Sequence, residues 1–535
     1  MKKFFLLTLS ILLTLSLSAA QRSLRQAQRL VPSAHHCFTA LQTDGSPAFY
    51  VFNKGENEGF VIVSADDRAR SILGYSDHGC WDENEMPDNL RAWLKNYADA
   101  ISHIDASYSP KETNQVYLPV APLIQTKWHQ KRPYNDSCPL HQGARSLTGC
   151  TAIAASQIMK VHNYPTHGIG SKSYKWANEN GDSIVLSANF EATSYNWNNM
   201  LADYTSGGTN EQKSAIAQLV YHCGVAGEMV YGKSGSSANS TLTNKAFIDY
   251  FGYDKGLRTF RKDYAGEAIL MEAIYRNLQA GQPVYISAKT TEGTGHAFVC
   301  DGIDANGLLH INWGWGGKSN GYFQLSALAP QEQGAGGSTT NKAYTERVQI
   351  FTDIRPDAGG EYVYSLACEN VRFDTSVVHH DSAVHIHVDT LRNLGFCPWT
   401  GHLKLYMYRN GEFYTTRTVA KDMNPLTDGM FRGHVGYYAK FHSYPNGEYD
   451  VVVAARATDQ PDAYIPIYCK GCGEFSFHLV ITEDSIYVNH TQEQTQGIES
   501  LPTEDQPTQK ILRDGQVYIL RHGRKYTLEG MELKD

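Results

Sequence analysis

The stretch from Gly149 to Pro165, GCTAIAASQIMKVHNYP, decides the fold of the central part of this 535-residue chain. Its alanine, glutamine, methionine and lysine residues favour a helix. Because Pro165 cannot continue a helix and restricts the residue before it, the helix should end near His162. Cys150 is thus predicted at the helix start, where unpaired N–H groups and the helix dipole lower a thiol pKa. The alternative is a small cysteine that is simply buried there.

Length and composition indicate a globular protein of several domains. A chain of this length is too long for one core, so three or four domains are expected. The chain has 41% hydrophobic residues and a formal net charge of −8. These values are ordinary for a globular protein and give no reason to expect a nucleic-acid partner.

Residues 1–20 have the composition of a secretory signal peptide. Lys2 and Lys3 precede an apolar run from Phe4 to Leu17, and a small-residue cleavage site ends at Ala20. The apolar run is too short to span a membrane, and no later stretch approaches 18 apolar residues. We therefore expect a secreted protein, extracellular or at the cell surface, without a membrane span.

Residues 21–115 are predicted to form a small α+β unit. The runs Phe49–Phe52 and Gly59–Ser64 are typical of two strands of a hairpin. Asn89–Ile104 places apolar residues on one helical face. The polar segment Ser107–Gln115 is predicted to be an exposed linker, which is where proteolytic processing tends to occur.

Residues 116–356 form the largest predicted unit. After the helix that starts at Cys150, a second helix spans Thr209–Cys223 with a capping box of Thr209 and Gln212. A third spans Glu267–Leu278 and is ended by Gly281. Four strands are predicted: Pro283–Ala288, Ala297–Cys300, Leu308–Trp313 and Gly321–Leu325. Helices followed by strands predict an α+β fold, with a helical half facing a sheet half.

The C-terminal part is predicted to be rich in strands. Residues 357–487 alternate apolar and polar side chains, as in a β-sandwich accessory domain. Residues 488–509 are polar and are predicted to be a linker. Short strands are predicted again in residues 510–535. Among the ten cysteines, Cys469 and Cys472 are the one close pair, predicted to be a local disulfide or two plain thiols.

Two motifs far downstream of Cys150 change its interpretation. His296 lies in GTGHAFV, and Asn312 begins NWGWGG; they follow Cys150 by 146 and 162 positions. A cysteine followed by histidine and asparagine at about this distance is the order found in papain-like proteases. Each residue alone has an ordinary structural interpretation, but the ordered set in an exported chain favours a cysteine peptidase.

The chemistry assigns a role to each group. The Cys150 thiolate would attack a carbonyl, while the His296 imidazolium stabilises the thiolate and protonates the leaving amine. Asn312 would orient the imidazole, and Trp313 would cover that hydrogen bond. The Cys150 N–H and a side-chain amide would form the oxyanion hole. Gln142 is the first choice for that amide and Gln130 the second.

The segments GCTAIAASQIMKVHNYP, GHAFVCDG and INWGWGG closely resemble the streptopain family of secreted cysteine proteases. Further matching segments are YNWNN from Tyr195, YGKSGS from Tyr231 and QPVY from Gln282. The resemblance covers roughly residues 120–353. It implies a papain-like catalytic domain with Cys150 as nucleophile, His296 as its partner, Asn312 and Trp313 as supports, and a glutamine near Gln142 in the oxyanion hole.

The resemblance also implies roles for other segments. Residues 232–238 resemble the family's substrate-binding wall, which suits hydrophobic residues next to the cleaved bond. The candidate substrate-binding residues are Gly232, Ser234, Gly235, Ser236 and Gly295. GFVIVSADD, from Gly59, looks like the family's inhibitory propeptide. The tail from Lys510 resembles the C-terminal modules that direct secretion in the Bacteroidetes, which implies outer-membrane secretion machinery as a partner.

The sequence therefore predicts a cysteine endopeptidase made as a self-inhibited precursor, with peptide substrates and its own propeptide as an inhibitor. Neither a metal nor another cofactor is implied. Two alternatives remain open: an acyl-transfer enzyme with the same residues, acting on non-peptide amides, and a surface adhesin that acts through its C-terminal β domain.

Overall fold

The computed structural model describes residues 21–104, 117–141, 143–177, 183–289, 295–327 and 348–490, together with four short strands between Gln509 and Leu533. The predicted signal peptide, the linker at Ser107–Gln115 and Gln142 lie outside the described residues. Within these ranges, every helix is too short or too polar to cross a membrane.

The N-terminal segment, Gln21–Ile104, is an α+β unit as predicted, and it is called the prosegment below. Its helix α1 begins at a capping box formed by Ser23 and Gln26. The predicted hairpin is present, as is the predicted helix. The elements are α1 (Leu24–Leu30), β1 (His35–Leu41), β2 (Pro47–Asn53), β3 (Phe60–Ser64), β4 (Ile72–Tyr75) and α2 (Asp88–Ser102).

The central unit begins with a hairpin of β5 (Leu140–His141) and β6 (Ala144–Arg145). Its helices are α3 (Cys150–His162), α4 (Asn210–Ala226), α5 (Ser240–Asp249) and α6 (Lys262–Gln279). The predicted capping box of Thr209 and Gln212 starts α4. Gly266 interrupts α6 with a φ of 81°, so the third predicted helix is the second part of α6. Helix α5 and a hairpin of β7 (Ser171–Ala177) and β8 (Ser183–Asn189) were not predicted.

The prosegment and the central unit share one ten-stranded sheet, in the order β1-β2-β3-β4-β13-β12-β11-β10-β14-β9. Strands β4 and β13 join the two parts, with Gly74 opposite Phe323 and Tyr75 opposite Tyr322. Antiparallel pairing is continuous across this junction, so the prosegment docks by extending the sheet. The central strands are β9 (Arg258–Arg261), β10 (Val284–Lys289), β11 (Gly295–Ile303), β12 (Leu309–Asn312), β13 (Gly321–Phe323) and β14 (Gln349–Thr352).

The third part is a β domain with its own apolar core, called the accessory domain below. Strand pairing runs to His490 in β26, so the domain extends beyond the predicted boundary at residue 487. All ten cysteines are unpaired, and the Cys469 thiol lies beside those of Cys368 and Cys472. The strands are β15 (Leu366–Cys368), β16 (Asn370–Phe373), β17 (Val377–His379), β18 (Ala383–Asn393), β19 (Trp399–Arg409), β20 (Glu412–Leu426), β21 (Phe431–Lys440), β22 (Gly447–Ala457), β23 (Ile465–Cys469), β24 (Gly473–Glu474), β25 (Ser476–Ile481) and β26 (Ser485–His490).

Gly74→Ala should weaken docking of the prosegment. A Cβ at Gly74 would lie 2.6 Å from the Phe323 ring and 3.0 Å from the Tyr322 carbonyl. Overpacking of this kind costs about 1–3 kcal/mol. In a Cys150→Ala background, which should keep the chain intact, we expect faster hydrogen exchange in β4. Gly433→Ala is the control because nothing lies within 4 Å of that position; equal exchange in both variants would contradict the docking role of β4.

Candidate active site

Gly149 and the start of α3 place Cys150. Gly149 has a φ of 85°, in the region that favours glycine, and a Cβ there would lie 2.6 Å from the Met229 side chain. Cys150 is the first residue of α3, as predicted, and α3 ends at His162. The structure therefore presents the thiol at a helix N-terminus, where the dipole favours a negative charge.

Helix α3 packs against strand β11, which carries His296. The backbone N–H of Ala297 faces the Cys150 sulfur. Ala297 and Val299 belong to the core that includes α3, whereas Phe298 belongs to the core that includes α2. Since side chains alternate along a strand, His296 lies on the α2 side with Phe298. Among the described residues, no hydrogen bond joins His296 to Cys150.

Helix α2 of the prosegment covers His296. A narrow cavity beside the imidazole is lined by Asn89, Trp93 and Asn96 of α2. The Trp93 ring lies 5.5 Å from that of Phe298 and 6.4 Å from that of Trp313, measured between centroids. Asn89 Nδ2 donates a hydrogen bond of 2.7 Å to the Trp313 carbonyl. The prosegment therefore occupies the space beside the predicted catalytic histidine.

Burial favours the neutral forms of both predicted catalytic groups. It raises the pKa of the Cys150 thiol, and the N–H groups of Ala297, Cys150 and Thr151 offset part of this effect. Burial also lowers the pKa of the His296 imidazole, against the opposing charge of Asp88 in α2. At neutral pH the precursor should hold a thiol and a neutral imidazole, not the ion pair needed for attack.

The Asn312 side chain forms hydrogen bonds with residues other than His296. Its Oδ1 accepts hydrogen bonds from Gln157 Nε2 at 3.2 Å and from the Gly314 N–H at 3.0 Å. Its Nδ2 donates to the Thr126 carbonyl at 3.1 Å. No hydrogen bond joins Asn312 to His296 in the described part of the chain, so its role in orienting the imidazole stays a prediction. Gln157 was not predicted from the sequence, although its place seven residues after Cys150, about two helical turns, brings it to the same side of α3.

Trp313 is fully buried beside this network. Its ring centroid lies 4.8 Å from that of Phe298 and 5.2 Å from that of Phe323. Its Nε1 donates to the Ser319 carbonyl at 3.0 Å. Trp313 thus packs on the residue two positions after His296, and its role in covering a hydrogen bond between Asn312 and His296 stays a prediction.

The predicted substrate-binding loop lies beside the segment that leads to Cys150. The Leu147 N–H donates to the Gly232 carbonyl at 3.1 Å, and Ser236 Oγ donates to the Leu147 carbonyl at 2.7 Å. Ser234 and Gly235 are exposed at the tip of this loop. Gly295 lies at the start of β11, next to His296.

Of the two glutamines predicted for the oxyanion hole, Gln130 lies among the described residues and Gln142 does not. The Gln130 carbonyl accepts a hydrogen bond of 3.2 Å from the Thr148 N–H, which places Gln130 next to the loop before Cys150. Gln142 follows β5 and precedes β6, but it lies outside the described residues. The choice between the two stays a prediction.

Known proteins match both the central unit and the prosegment. The model of the Peptidase C10 family matches residues 128–323, and the model of the Spi protease inhibitor matches residues 15–101. Streptopain of Streptococcus pyogenes is 36% identical over 308 residues, which cover 54% of this chain and 76% of streptopain. The chain belongs to the Peptidase C10 family. It is a papain-like α+β cysteine peptidase with an inhibitory propeptide, as the sequence analysis predicted.

Two other relatives extend the comparison. Thiol protease/hemagglutinin PrtT of Porphyromonas gingivalis is 33% identical over 325 residues, covering 58% of this chain and 37% of PrtT. A structure of a prointerpain A fragment from Prevotella intermedia has a TM-score of 0.51 and 27% identity, and it covers 60% of this chain and 98% of the fragment. The prosegment and the catalytic unit of this chain therefore have the fold of a known precursor.

The shifted pKa values predict slow alkylation of Cys150 in the precursor. A thiol with a raised pKa is protonated at pH 7, and each pKa unit changes the thiolate fraction about tenfold. Removal of the prosegment should free the His296 side chain to form an imidazolium beside the thiolate, which lowers the thiol pKa and speeds its reaction with iodoacetamide by about tenfold or more. The measurement is a brief labelling pulse on the full-length chain and on the matured enzyme, followed by peptide mass analysis. Cys80, which is exposed, is the control thiol in the precursor. Equal alkylation rates of Cys150 in the precursor and in the matured enzyme would contradict an effect of the prosegment on the thiol pKa.

Gln157→Leu should destabilise the network around Asn312. Gln157 is fully buried and also accepts a hydrogen bond of 2.9 Å from Thr126 Oγ1, so its loss leaves buried polar groups unpaired. The expected loss is about 1–3 kcal/mol in the free energy of unfolding. Gln218→Leu, on the exposed face of α4, is the matched control with little expected effect. Denaturant unfolding in the Cys150→Ala background measures both, and equal stability would show that the Gln157 contacts contribute nothing.

Proposed function

We propose that this chain is a secreted endopeptidase that cleaves peptide bonds through a Cys150 thiolate and a His296 imidazolium, formed once the prosegment has left. The observation that carries the proposal is the contact of α3 with β11, which brings the Cys150 sulfur to the residue next to His296. The two groups come from a helix and a strand of one packed unit, and in the active form the His296 side chain would turn toward Cys150.

The reaction follows from these positions. The Cys150 sulfur attacks the carbonyl carbon of the scissile bond, and the Cys150 N–H with the Gln142 or Gln130 amide binds the oxyanion. His296 donates its proton to the leaving amine, which leaves a thioester on Cys150. A water then attacks the thioester, with His296 accepting its proton, and the acid product leaves. Asn312 and Trp313 support the His296 ring in the active form.

Prosegment docking accounts for inhibition. Helix α2 covers the imidazole, and burial keeps both reacting groups neutral. Cleavage within the predicted linker, Ser107–Gln115, would separate the prosegment from the catalytic unit, residues 116–356. We further propose that residues 1–20 direct export, that residues 357–487 and their strand extension to His490 form an accessory domain, and that residues 510–535, after a linker at 488–509, address the protein to outer-membrane secretion machinery.

The loop from Gly232 to Ser236 is the proposed wall of the substrate site. Its hydrogen bonds to Leu147, three residues before Cys150, support this assignment, and its glycines and serines have small side chains. A backbone of this kind leaves room for a hydrophobic side chain next to the cleaved bond.

A time course of the purified precursor tests the function. Wild type in reducing buffer should lose its prosegment and gain casein cleavage, whereas Cys150→Ala should do neither. Loss of a nucleophile lowers activity on the order of 10⁴-fold or more. Cys80→Ala is the matched control, since it removes an exposed thiol of the prosegment.

Three results would contradict parts of the proposal. If Cys150→Ala matures like wild type, another protease processes the precursor. If Cys150→Ala cleaves casein after the prosegment has been removed, Cys150 is not the nucleophile. If matured wild type cleaves no peptide but transfers acyl groups to amines, the endopeptidase assignment is wrong.

A further inference from the structure

The outer face of the accessory domain carries a cluster of histidines on two paired strands. On β18 the side chains of Val384, Ile386 and Val388 point into the core. The alternate residues, His385, His387 and Asp389, therefore lie on the opposite face. Across the ladder on β21 they face Tyr438, Gly436 and His434 respectively. Three imidazoles thus share one small area of the sheet.

Carboxylates bind one nitrogen of each ring. Asp374, just after β16, is 2.6 Å from His385 Nδ1 and 2.7 Å from His387 Nε2. Asp389 is 2.9 Å from His434 Nδ1. An ionised carboxylate only accepts hydrogen bonds, so each of these three ring nitrogens carries the proton. In neutral imidazoles the other nitrogen, His385 Nε2, His387 Nδ1 or His434 Nε2, then presents a lone pair.

The lone-pair nitrogens of His385 and His434 border the space over Gly436, and that of His387 lies next to that of His434. His387 Nδ1 and His434 Nε2 are 3.3 Å apart. A Cβ on Gly436 would lie 2.9 Å from His434 Nε2 and 3.1 Å from His385 Nε2. Two lone pairs at this distance repel each other unless a proton or a metal ion lies between them. Nitrogens bound to a tetrahedral zinc at about 2.0–2.1 Å are about 3.4 Å apart.

We propose that His385, His387 and His434 bind one divalent transition-metal ion of the zinc type through these three nitrogens. Imidazole is a preferred ligand for such ions. Asp374 and Asp389 act as the outer carboxylates that fix the ring orientation, an arrangement common around metal-binding histidines. The His385 ring is also stacked on Tyr438, with centroids 4.0 Å apart.

Access and placement fit a bound ion. The His387 side chain is 8% exposed, whereas that of His434 is 48% exposed, so the ion can enter from the β21 side. The site lies in the accessory domain, and its ligands belong to β18 and β21 with an outer carboxylate next to β16. A bound ion would tie these three strands together, so it would stabilise the domain without taking part in peptide cleavage.

Zinc binding to the full chain tests the proposal. The parent is Cys150→Ala, which removes the active-site thiol as a competing ligand. Equilibrium dialysis against zinc at neutral pH should show one equivalent more in the parent than in His434→Gln or Gly436→Ala. Gly436→Ala keeps all three histidines but fills the space between their nitrogens. Gly433→Ala, on the same strand with nothing within 4 Å, is the matched control and should bind like the parent.

A second pair of measurements separates imidazole from thiol ligands. Asp374→Asn should weaken zinc binding about 10- to 100-fold, as is typical for outer carboxylates. Cobalt in place of zinc should give a spectrum without thiolate charge-transfer bands, which excludes Cys368, Cys469 and Cys472 as the source of binding. The midpoint of thermal unfolding, measured without metal, shows whether each variant is folded. If Gly436→Ala does not fold, His434→Gln still tests the proposal, because it changes a half-exposed side chain.

The proposal is overturned if the parent, His434→Gln and folded Gly436→Ala bind zinc with equal stoichiometry and affinity. It is also overturned if cobalt binds to the parent with thiolate bands only. In either case a proton, rather than a metal ion, lies between His387 Nδ1 and His434 Nε2.

Discussion

The contact between the Cys150 sulfur and the Ala297 N–H is the point on which the rest of this structure depends. It joins the first residue of α3 to strand β11 and so brings a helical half and a sheet half to one place. Gly149 makes the contact possible, because its φ of 85° and its lack of a side chain let the chain turn beside Met229. The same helix carries Gln157, which donates a hydrogen bond to the Asn312 side chain.

The prosegment docks on the same sheet. The prosegment adds four strands at β13, and this pairing carries α2 onto the face where His296 lies. Burial favours the neutral forms of the imidazole and of the thiol, and disfavours the ion pair. Docking of the prosegment therefore places α2 beside the imidazole while both groups are in their neutral forms.

Sequence reasoning succeeded where local signals were strong. The proline at 165, the capping box at Thr209 and the apolar–polar alternation within residues 357–487 each predicted elements that the structure contains. It missed α5, whose serine, threonine and asparagine residues are weak helix formers and whose buried Ala246, Phe247 and Ile248 supply the stability instead. The place of His296 on the α2 side and the hydrogen bonds of Asn312 to Gln157 and Thr126 could not be predicted, because both depend on contacts between segments more than 100 residues apart.

The central claim is that Cys150 forms the covalent intermediate of a peptidase. The most direct test is rapid acid quenching of the matured enzyme during turnover of a peptide ester, followed by peptide mass mapping. The account predicts an acyl group, added as a thioester, on the peptide that contains the start of α3 with Cys150. Turnover with the acyl group on another residue, or with no acyl group on Cys150 at any quench time while product accumulates, would contradict it.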